Sequence, residues 1–230
     1  MKVSKITDKI ILLSTSSQKQ ITDTVMRFQE YYESPIPEIR GQIFTIGYFK
    51  SLYSQNKDSS SGAFTYISGH TYKGDWNGFN FPGHVLQPFI QGLFDPLTKE
   101  ERDVIELFRY RTDKFYIIGL HRENNGEDVL NHEIAHGLFY TDTEYNQSVT
   151  DILKQYDLCG FKKMLKSWGY CADEVILNDE CQAYIGCDYQ WMIKDKQDDF
   201  LTFGIDIKKL EPLHDAIWKI FKNMNPRESK

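Results

Sequence analysis

Two histidines and a glutamate stand close together in the segment Asn131-His132-Glu133-Ile134-Ala135-His136-Gly137. If residues 127–140 form a helix, His132 and His136 lie one turn apart on the same face, with Cβ atoms about 5–6 Å apart. Both imidazoles can then bind one metal ion. Glu133 is rotated by about 100° around the axis, because an α-helix has 3.6 residues per turn. Its carboxylate can therefore reach a water molecule beside the metal without being a ligand.

The H-E-x-x-H spacing is the signature of zinc metallopeptidases, in which both histidines are ligands and the glutamate is the general base. The sequence before the motif supports its interpretation as a metal site, because aromatic and β-branched residues predict a strand over residues 114–120. Leu130, Ile134 and Leu138 recur every four residues and form an apolar stripe. This stripe predicts the face of the helix that packs on the core. The alternative is that the histidines only hydrogen-bond to carboxylates or to the backbone.

A catalytic zinc ion takes three protein ligands and leaves one position for water, so a third ligand is needed. The candidates are Asp142, Glu180 and His214. Glu180 is favoured, because a helix over residues 173–187 places it on an apolar face, where a carboxylate is costly unless it is paired or binds a metal. Asp173 shares that face and is predicted to hydrogen-bond a ligand histidine. For Glu180 the alternatives are a buried salt bridge or a solvent-exposed position.

The motif together with Glu180 on a second helix resembles the gluzincin-like members of the zincin superfamily. Residues 132–140 and 179–184, with residues 76–82, resemble a group of zinc peptidases. The resemblance implies one Zn²⁺ ion bound by His132, His136 and Glu180, with Glu133 as the general base. The sequence departs from thermolysin-like enzymes at Tyr184, where they carry an aspartate. Their arrangement around the ligands is therefore not implied.

The implied chemistry is hydrolysis of a peptide bond. Zinc acidifies water and polarises the scissile carbonyl, and Glu133 passes the water proton to the leaving amine. Tyr184 or Tyr140 is a candidate donor to the oxyanion, with packing as the alternative role. The strand at residues 115–118 is expected to border the cleft and to bind a peptide by strand addition. The competing hypotheses are a non-catalytic zincin-fold protein that retains the metal and a hydrolase of non-peptide amides.

The expected fold class is α+β and zincin-like, with a small mixed sheet, an active-site helix packed beside it and a mainly helical C-terminal lobe. We expect a single catalytic domain over residues 1–230, with an N-terminal α/β lobe to about residue 141 and a helical lobe over about 142–230. Pattern and capping residues predict the other elements: a strand at 10–13, strands and turns at 63–83, helices at 17–32, 99–109, 148–168 (continuous or broken at 159–160), 173–186 and 210–221, a loop at 195–199 and a frayed end at 225–230. The segment 42–53 is ambiguous, with residues 43–48 typical of a strand and residues 49–53 of a following helical turn.

Composition and charge limit the kinds of molecule that the protein is expected to bind and the compartment in which it is expected to lie. A chain of 230 residues that is 40% hydrophobic and 14% aromatic is long enough for a globular domain. Its net charge of −6 argues against nucleic-acid binding. No stretch approaches the roughly 20 apolar residues of a membrane helix, and the apolar run at residues 10–13 is too short for a signal peptide. Four cysteines without a C-x-x-C pair suit a reducing compartment. We therefore expect a cytoplasmic protein with a peptide or protein substrate and neither nucleic-acid nor membrane partners.

Overall fold

The computed structural model describes residues 1–55, 78–122, 126–225 and 227 of the chain. These residues form an α+β fold in which helices predominate. The described strands are β1 (Lys2–Lys5), β2 (Ile10–Thr15), β3 (Gly78–Pro82) and β4 (Tyr116–His121). The described α-helices are α1 (Gln18–Glu33), α2 (Ile46–Gln55), α3 (Gln87–Ile90), α4 (Lys99–Phe108), α5 (Glu127–Thr141), α6 (Thr143–Leu153), α7 (Cys159–Ser167), α8 (Glu174–Cys187), α9 (Tyr189–Asp195), α10 (Gln197–Thr202) and α11 (Ile207–Met224).

The four described strands form one mixed sheet in the order β1-β2-β4-β3. Strands β2 and β4 are parallel, whereas β1 and β3 run antiparallel to their neighbours. Strand β4 therefore lies inside the sheet, with both of its hydrogen-bonding edges occupied. The expectation that residues 115–118 bind a peptide by strand addition is wrong, because only an edge strand has unpaired backbone groups to offer.

The sheet separates two hydrophobic cores. Along β4, Tyr116, Ile118 and Leu120 pack into a core with α5 and the helices that follow it. The alternate residue Ile117 and the preceding Phe115 pack into a second core, which contains the apolar face of α1. This division follows from the strand geometry, in which successive side chains point to opposite faces. The boundary between lobes near residue 141 stays a prediction.

Capping residues set the starts of α1 and α4 as predicted. The Ser17 side chain accepts a hydrogen bond from the Gln20 backbone N–H, and Thr98 and Glu101 form a complete capping box. Glu101 also binds the buried guanidinium of Arg27, with Nε and Oε1 2.6 Å apart. This ion pair ties α1 to α4.

Several predicted elements differ from the structure. In the ambiguous segment 42–53 the helical turn is confirmed and the strand is wrong, since α2 begins at Ile46, where the Thr45 hydroxyl accepts a hydrogen bond from the Tyr48 backbone N–H and caps the first turn. The segment predicted to be helical over 148–168 is broken, but the break lies at residues 154–158, between α6 and α7, and not at 159–160. Helix α6 begins earlier than predicted because Asp142 caps it. The loop predicted at 195–199 is mostly helix, since only Lys196 separates α9 from α10.

Two further expectations concern residues 225–230 and residues 63–83. Asn225 was expected to fray with the residues after it. It is instead fully buried, and its side-chain amide lies 3.4 Å from Asn131 Oδ1. Of the strands and turns expected at 63–83, the structure describes only β3 and the short 3₁₀ turn Gly83–Leu86. Residues 63–77 lie outside the described residues.

Helix α5, which contains the motif, packs closely on the sheet. A Cβ atom at Gly137 would lie only 2.9 Å from Ile10 Cδ1, so glycine allows the helix to approach β2. Ile134 and Leu138 are buried in the core as predicted, and Leu130 packs at its margin. In the part of the chain that the structure describes, no helix combines the length and apolar composition needed to cross a membrane.

Candidate metal centre

Helices α5 and α8 bring together the three predicted metal ligands. The ligand atoms of His132, His136 and Glu180 all lie within 4.8 Å of one another. The two Nε2 atoms are 3.0 Å apart. Glu180 Oε2 lies 3.8 Å from Nε2 of His132, and Glu180 Oε1 lies 3.7 Å from Nε2 of His136. The three side chains thus converge on a single point between the helices.

The chemistry of this group fits a metal ion. Glu180 is only 3% exposed, and its Oε2 is buried without a hydrogen-bond partner. A buried carboxylate oxygen without a partner is costly, and a cation removes that cost. Two imidazole nitrogens and one glutamate oxygen form a known ligand set of catalytic zinc, which leaves a fourth position open. The group could therefore hold a metal ion.

Each imidazole also faces an aspartate on its other nitrogen. His132 Nδ1 lies 2.6 Å from Asp188 Oδ2. His136 Nδ1 lies 2.8 Å from Asp179 Oδ1, although these two atoms are not aligned as a hydrogen bond. Such carboxylate partners orient ligand histidines and increase their basicity. Both Nε2 atoms are thereby turned towards Glu180.

Asp179 is itself held by a chain of buried polar groups. The Gln182 side-chain amide donates to Asp179 Oδ1 at 3.0 Å. The Tyr145 hydroxyl in turn donates to Gln182 Oε1 at 2.8 Å. Because Tyr145 lies on α6, three helices contribute to the orientation of His136.

Sequence reasoning assigned the supporting aspartates incorrectly. Asp173 is the N-cap of α8, and its side chain accepts a hydrogen bond from the Val175 backbone N–H at 2.8 Å instead of supporting a histidine. Asp179 and Asp188 were missed. The position of Asp188 held little signal, since eight residues after Glu180 correspond to a rotation of about 80° beyond two full turns, and Asp188 lies just after the last residue of α8. Asp179 gave none, because its sequence position does not show that α5 covers it.

The two other candidates for the third ligand lie elsewhere. Asp142 caps α6, where its Oδ1 accepts a hydrogen bond from the Tyr145 backbone N–H at 2.9 Å. His214 Nδ1 lies 2.8 Å from the Ile185 carbonyl oxygen, and its ring stacks on Tyr189 with centroids 4.4 Å apart. Both side chains have structural partners of their own, and neither belongs to the His132 group.

Glu133 lies beside the ligand group without being part of it, as the helix geometry predicts. The side chain is buried, and its Oε2 accepts a hydrogen bond from Asn80 Nδ2 at 2.8 Å. Its carboxylate also lies against the backbone of β3, where a Cβ atom at Gly78 would be 2.0 Å from Oε1. Asn80 and Gly78 were not identified as site residues from the sequence.

Negative charge accumulates around the ligand group. Burial raises the pKa of Glu180 well above its usual value, and the neighbouring carboxylates of Glu33, Asp179, Glu133 and Asp188 raise it further. The pKa of Glu33 is also well above its usual value because of burial and the charges of Asp179 and Glu133. Several carboxylates that cannot all ionise together favour a bound cation.

The pKa of His132 reflects two opposing effects. Burial lowers it by disfavouring the charged imidazolium, but the charge and the hydrogen bond of Asp188, with the charges of Glu133 and Asp179, together outweigh burial. The resulting pKa is above the usual value. A metal ion bound by His132 would therefore have to displace a proton that this residue holds more tightly than a free histidine does.

Of the two predicted oxyanion donors, Tyr184 lies beside the ligand group. Its ring is 4.7 Å from the His132 ring, and its hydroxyl lies 2.7 Å from the Tyr170 hydroxyl. Burial raises the pKa of both phenols, so both remain neutral donors at physiological pH. The Tyr140 hydroxyl instead lies 3.1 Å from His84 Nδ1.

A cavity of about 260 Å³ is lined in part by Asp179, the neighbour of His136, and by Tyr32 and Tyr140.

Comparison of the chain with known protein families, with curated proteins and with solved structures finds no match. Trp76 and Asn77, of the segment 76–82 that was compared with zinc peptidases, lie outside the described residues.

Proposed function

We propose that the protein is a zinc-dependent hydrolase of the gluzincin-like zincin type, and that it acts as a metallopeptidase. The observation that supports this most strongly is the convergence of His132, His136 and Glu180, with Glu133 next to them but outside the group. A site that only stored a metal would not need a buried carboxylate in that position. The small mixed sheet and the packing of α5 on it are compatible with a zincin fold.

Bound zinc would act as a Lewis acid that polarises the substrate carbonyl and lowers the pKa of water. Glu133 takes the proton of the attacking water and transfers it to the leaving amine. Asp188 and Asp179 keep the imidazoles of His132 and His136 in their orientation. The burial of these groups keeps bulk water away and strengthens their electrostatic effect on the reaction.

The neutral phenol of Tyr184 is the proposed hydrogen-bond donor to the developing oxyanion. It has two supporting features: its ring lies against His132, and its hydroxyl is paired with that of Tyr170. Because two hydroxyls share one hydrogen bond, one proton of the pair is left for a further acceptor. A donor of this kind typically contributes about 10²–10³-fold to the turnover rate.

The proposal is tested with the zinc-loaded protein, a peptide library and the Glu133→Gln variant. We expect wild-type protein to cleave peptides, a chelator to stop the reaction, and Glu133→Gln to keep one zinc per chain while losing about 10²–10⁴-fold in turnover. The matched control is Glu127→Gln, which changes an exposed glutamate on the same helix. Its turnover should equal that of wild type.

Each contrary outcome has its own meaning. Unchanged turnover in Glu133→Gln would remove Glu133 as the general base. Stoichiometric zinc without cleavage of any peptide would contradict the metallopeptidase proposal and favour a non-catalytic binding protein. Cleavage of non-peptide amides alone would retain the hydrolytic centre but change its substrate class.

A further inference from the structure

Asn80 makes three hydrogen bonds from a buried position in the middle of β3. Its side-chain Nδ2 donates to Glu133 Oε2 at 2.8 Å, and its Oδ1 accepts from the Tyr116 hydroxyl. Its backbone N–H donates to Gln29 Oε1 at 2.8 Å. The residue thus connects β4, α1 and the motif helix α5.

The Tyr116 hydroxyl determines which way the Asn80 amide points. Burial raises the pKa of Tyr116 well above its usual value, so its hydroxyl remains a donor. Asn80 Oδ1 faces this donor, and the amide N–H group therefore faces Glu133. The reverse orientation would place Oδ1 against the Glu133 carboxylate, leaving two acceptors without a proton between them.

Gly78 completes the same arrangement from the same strand. Residues 78 and 80 lie on one face of β3, because side chains alternate along a strand. The absent side chain of Gly78 leaves the space in which Glu133 Oε1 and Cδ lie, since a Cβ there would be 2.0 and 2.8 Å from them. Asn80 and Gly78 therefore restrain the carboxylate from two sides.

We infer that Asn80, oriented by Tyr116, is a positioning residue for the general base Glu133. This inference rests on the proposed hydrolytic function. By donating a hydrogen bond to Oε2, Asn80 fixes the plane of the carboxylate that receives the proton of water. A misplacement of about 1 Å in such a group costs roughly 10²-fold in rate.

A double-mutant cycle on the zinc-loaded protein tests whether Asn80 acts through Glu133. We expect Asn80→Ala to lower kcat about 10–100-fold while KM and zinc content stay unchanged. In the Glu133→Gln background the same substitution should cause no further loss. An equal loss in both backgrounds would show that Asn80 has only a structural role.

Two matched variants sharpen this test. Tyr116→Phe removes the hydroxyl that orients the Asn80 amide. This variant should also lower kcat, but by less than Asn80→Ala does. Tyr189→Phe removes a tyrosine hydroxyl bonded to the Ile207 carbonyl far from the motif in sequence, and should leave kcat unchanged. Equal kcat values for Tyr116→Phe and wild type would contradict the role given to Tyr116.

A second readout does not depend on catalysis. In the metal-free chain, urea unfolding of wild type, Asn80→Ala, Glu133→Gln and the double variant measures the coupling of the two side chains. We expect the double variant to lower the midpoint by less than the sum of the single shifts; additive shifts would contradict the inference. Wild-type protein that binds zinc but cleaves no peptide would instead contradict the proposed function, whatever the coupling.

Discussion

The imidazoles of His132 and His136 each place one nitrogen near Glu180 and the other against an aspartate. At this scale the sequence identified His132, His136 and Glu180, because helical spacing determines which residues share a face. It did not identify their aspartate partners or Asn80. Those contacts join residues 43 to 56 positions apart, and spacing along the chain does not determine them.

Replacing Asp188 with asparagine tests the support of His132. The amide keeps the shape of the side chain but removes the charge that faces His132 Nδ1. We predict a zinc affinity about 10–100-fold weaker, measured by competition with a chromophoric chelator. The control is Asp173→Asn, which changes a helix cap to a residue that caps equally well. If only Asp173→Asn weakened zinc binding, the supporting role would belong to Asp173.

Glu33 makes the stability of the metal-free chain depend on pH. Its folded-state pKa is raised by burial and by the charges of Asp179 and Glu133. The folded chain therefore holds the proton of the Glu33 carboxyl group more tightly than the unfolded chain does, since glutamates of the unfolded chain titrate near pH 4.3. The resulting stability is complete below that pH and is lost as pH rises through the folded pKa.

We therefore predict that the unfolding free energy of the metal-free chain falls as pH rises above about 4.3. Glu33→Gln should flatten this fall, and the substitution of exposed Glu38 by Gln should not. Urea unfolding between pH 4.5 and pH 8 provides the measurement. A pH slope in Glu33→Gln identical to that of wild type would contradict this account of Glu33.

At the scale of elements, the sequence predicted the motif helix, the Glu180 helix and the strand before the motif, and the structure confirms each of them. Caps and apolar periodicity define these elements locally. The position of a strand within the sheet is not local, so β4 was expected to border the cleft but lies between two other strands. The structure instead places β3 against Glu133, the proposed general base.

The contact of α5 with β2 at Gly137 gives a prediction at this scale. An alanine there would bring its Cβ within 2.9 Å of Ile10 Cδ1, so Gly137→Ala should lower the unfolding free energy by about 1–3 kcal/mol. The control is Gly47→Ala in helix α2, because a Cβ atom added at Gly47 would have Thr45 Oγ1, 4.0 Å away, as its nearest neighbour. That variant should stabilise by about 0.5–1 kcal/mol in urea unfolding. Equal stability of the two variants would contradict close packing at Gly137.

At the scale of the whole molecule, the sheet divides the apolar residues into two cores, and α5 packs on one face of it. Composition predicted a globular α+β chain, since its hydrophobic content is high enough for buried cores. It did not predict that α1, from the other core, would bring Gln29 to Asn80 and Glu33 near Glu133 and Asp179, at the candidate metal centre. This proximity arises only when the sheet is assembled.

The central claim is that His132, His136 and Glu180 bind one zinc ion. Anomalous diffraction at the zinc edge, from crystals of the zinc-loaded chain, tests it most directly. We predict a single strong peak about 2.0–2.2 Å from Nε2 of both histidines and from one oxygen of Glu180. The absence of a peak at saturating zinc, or a peak on other side chains such as the cysteines, would contradict the claim.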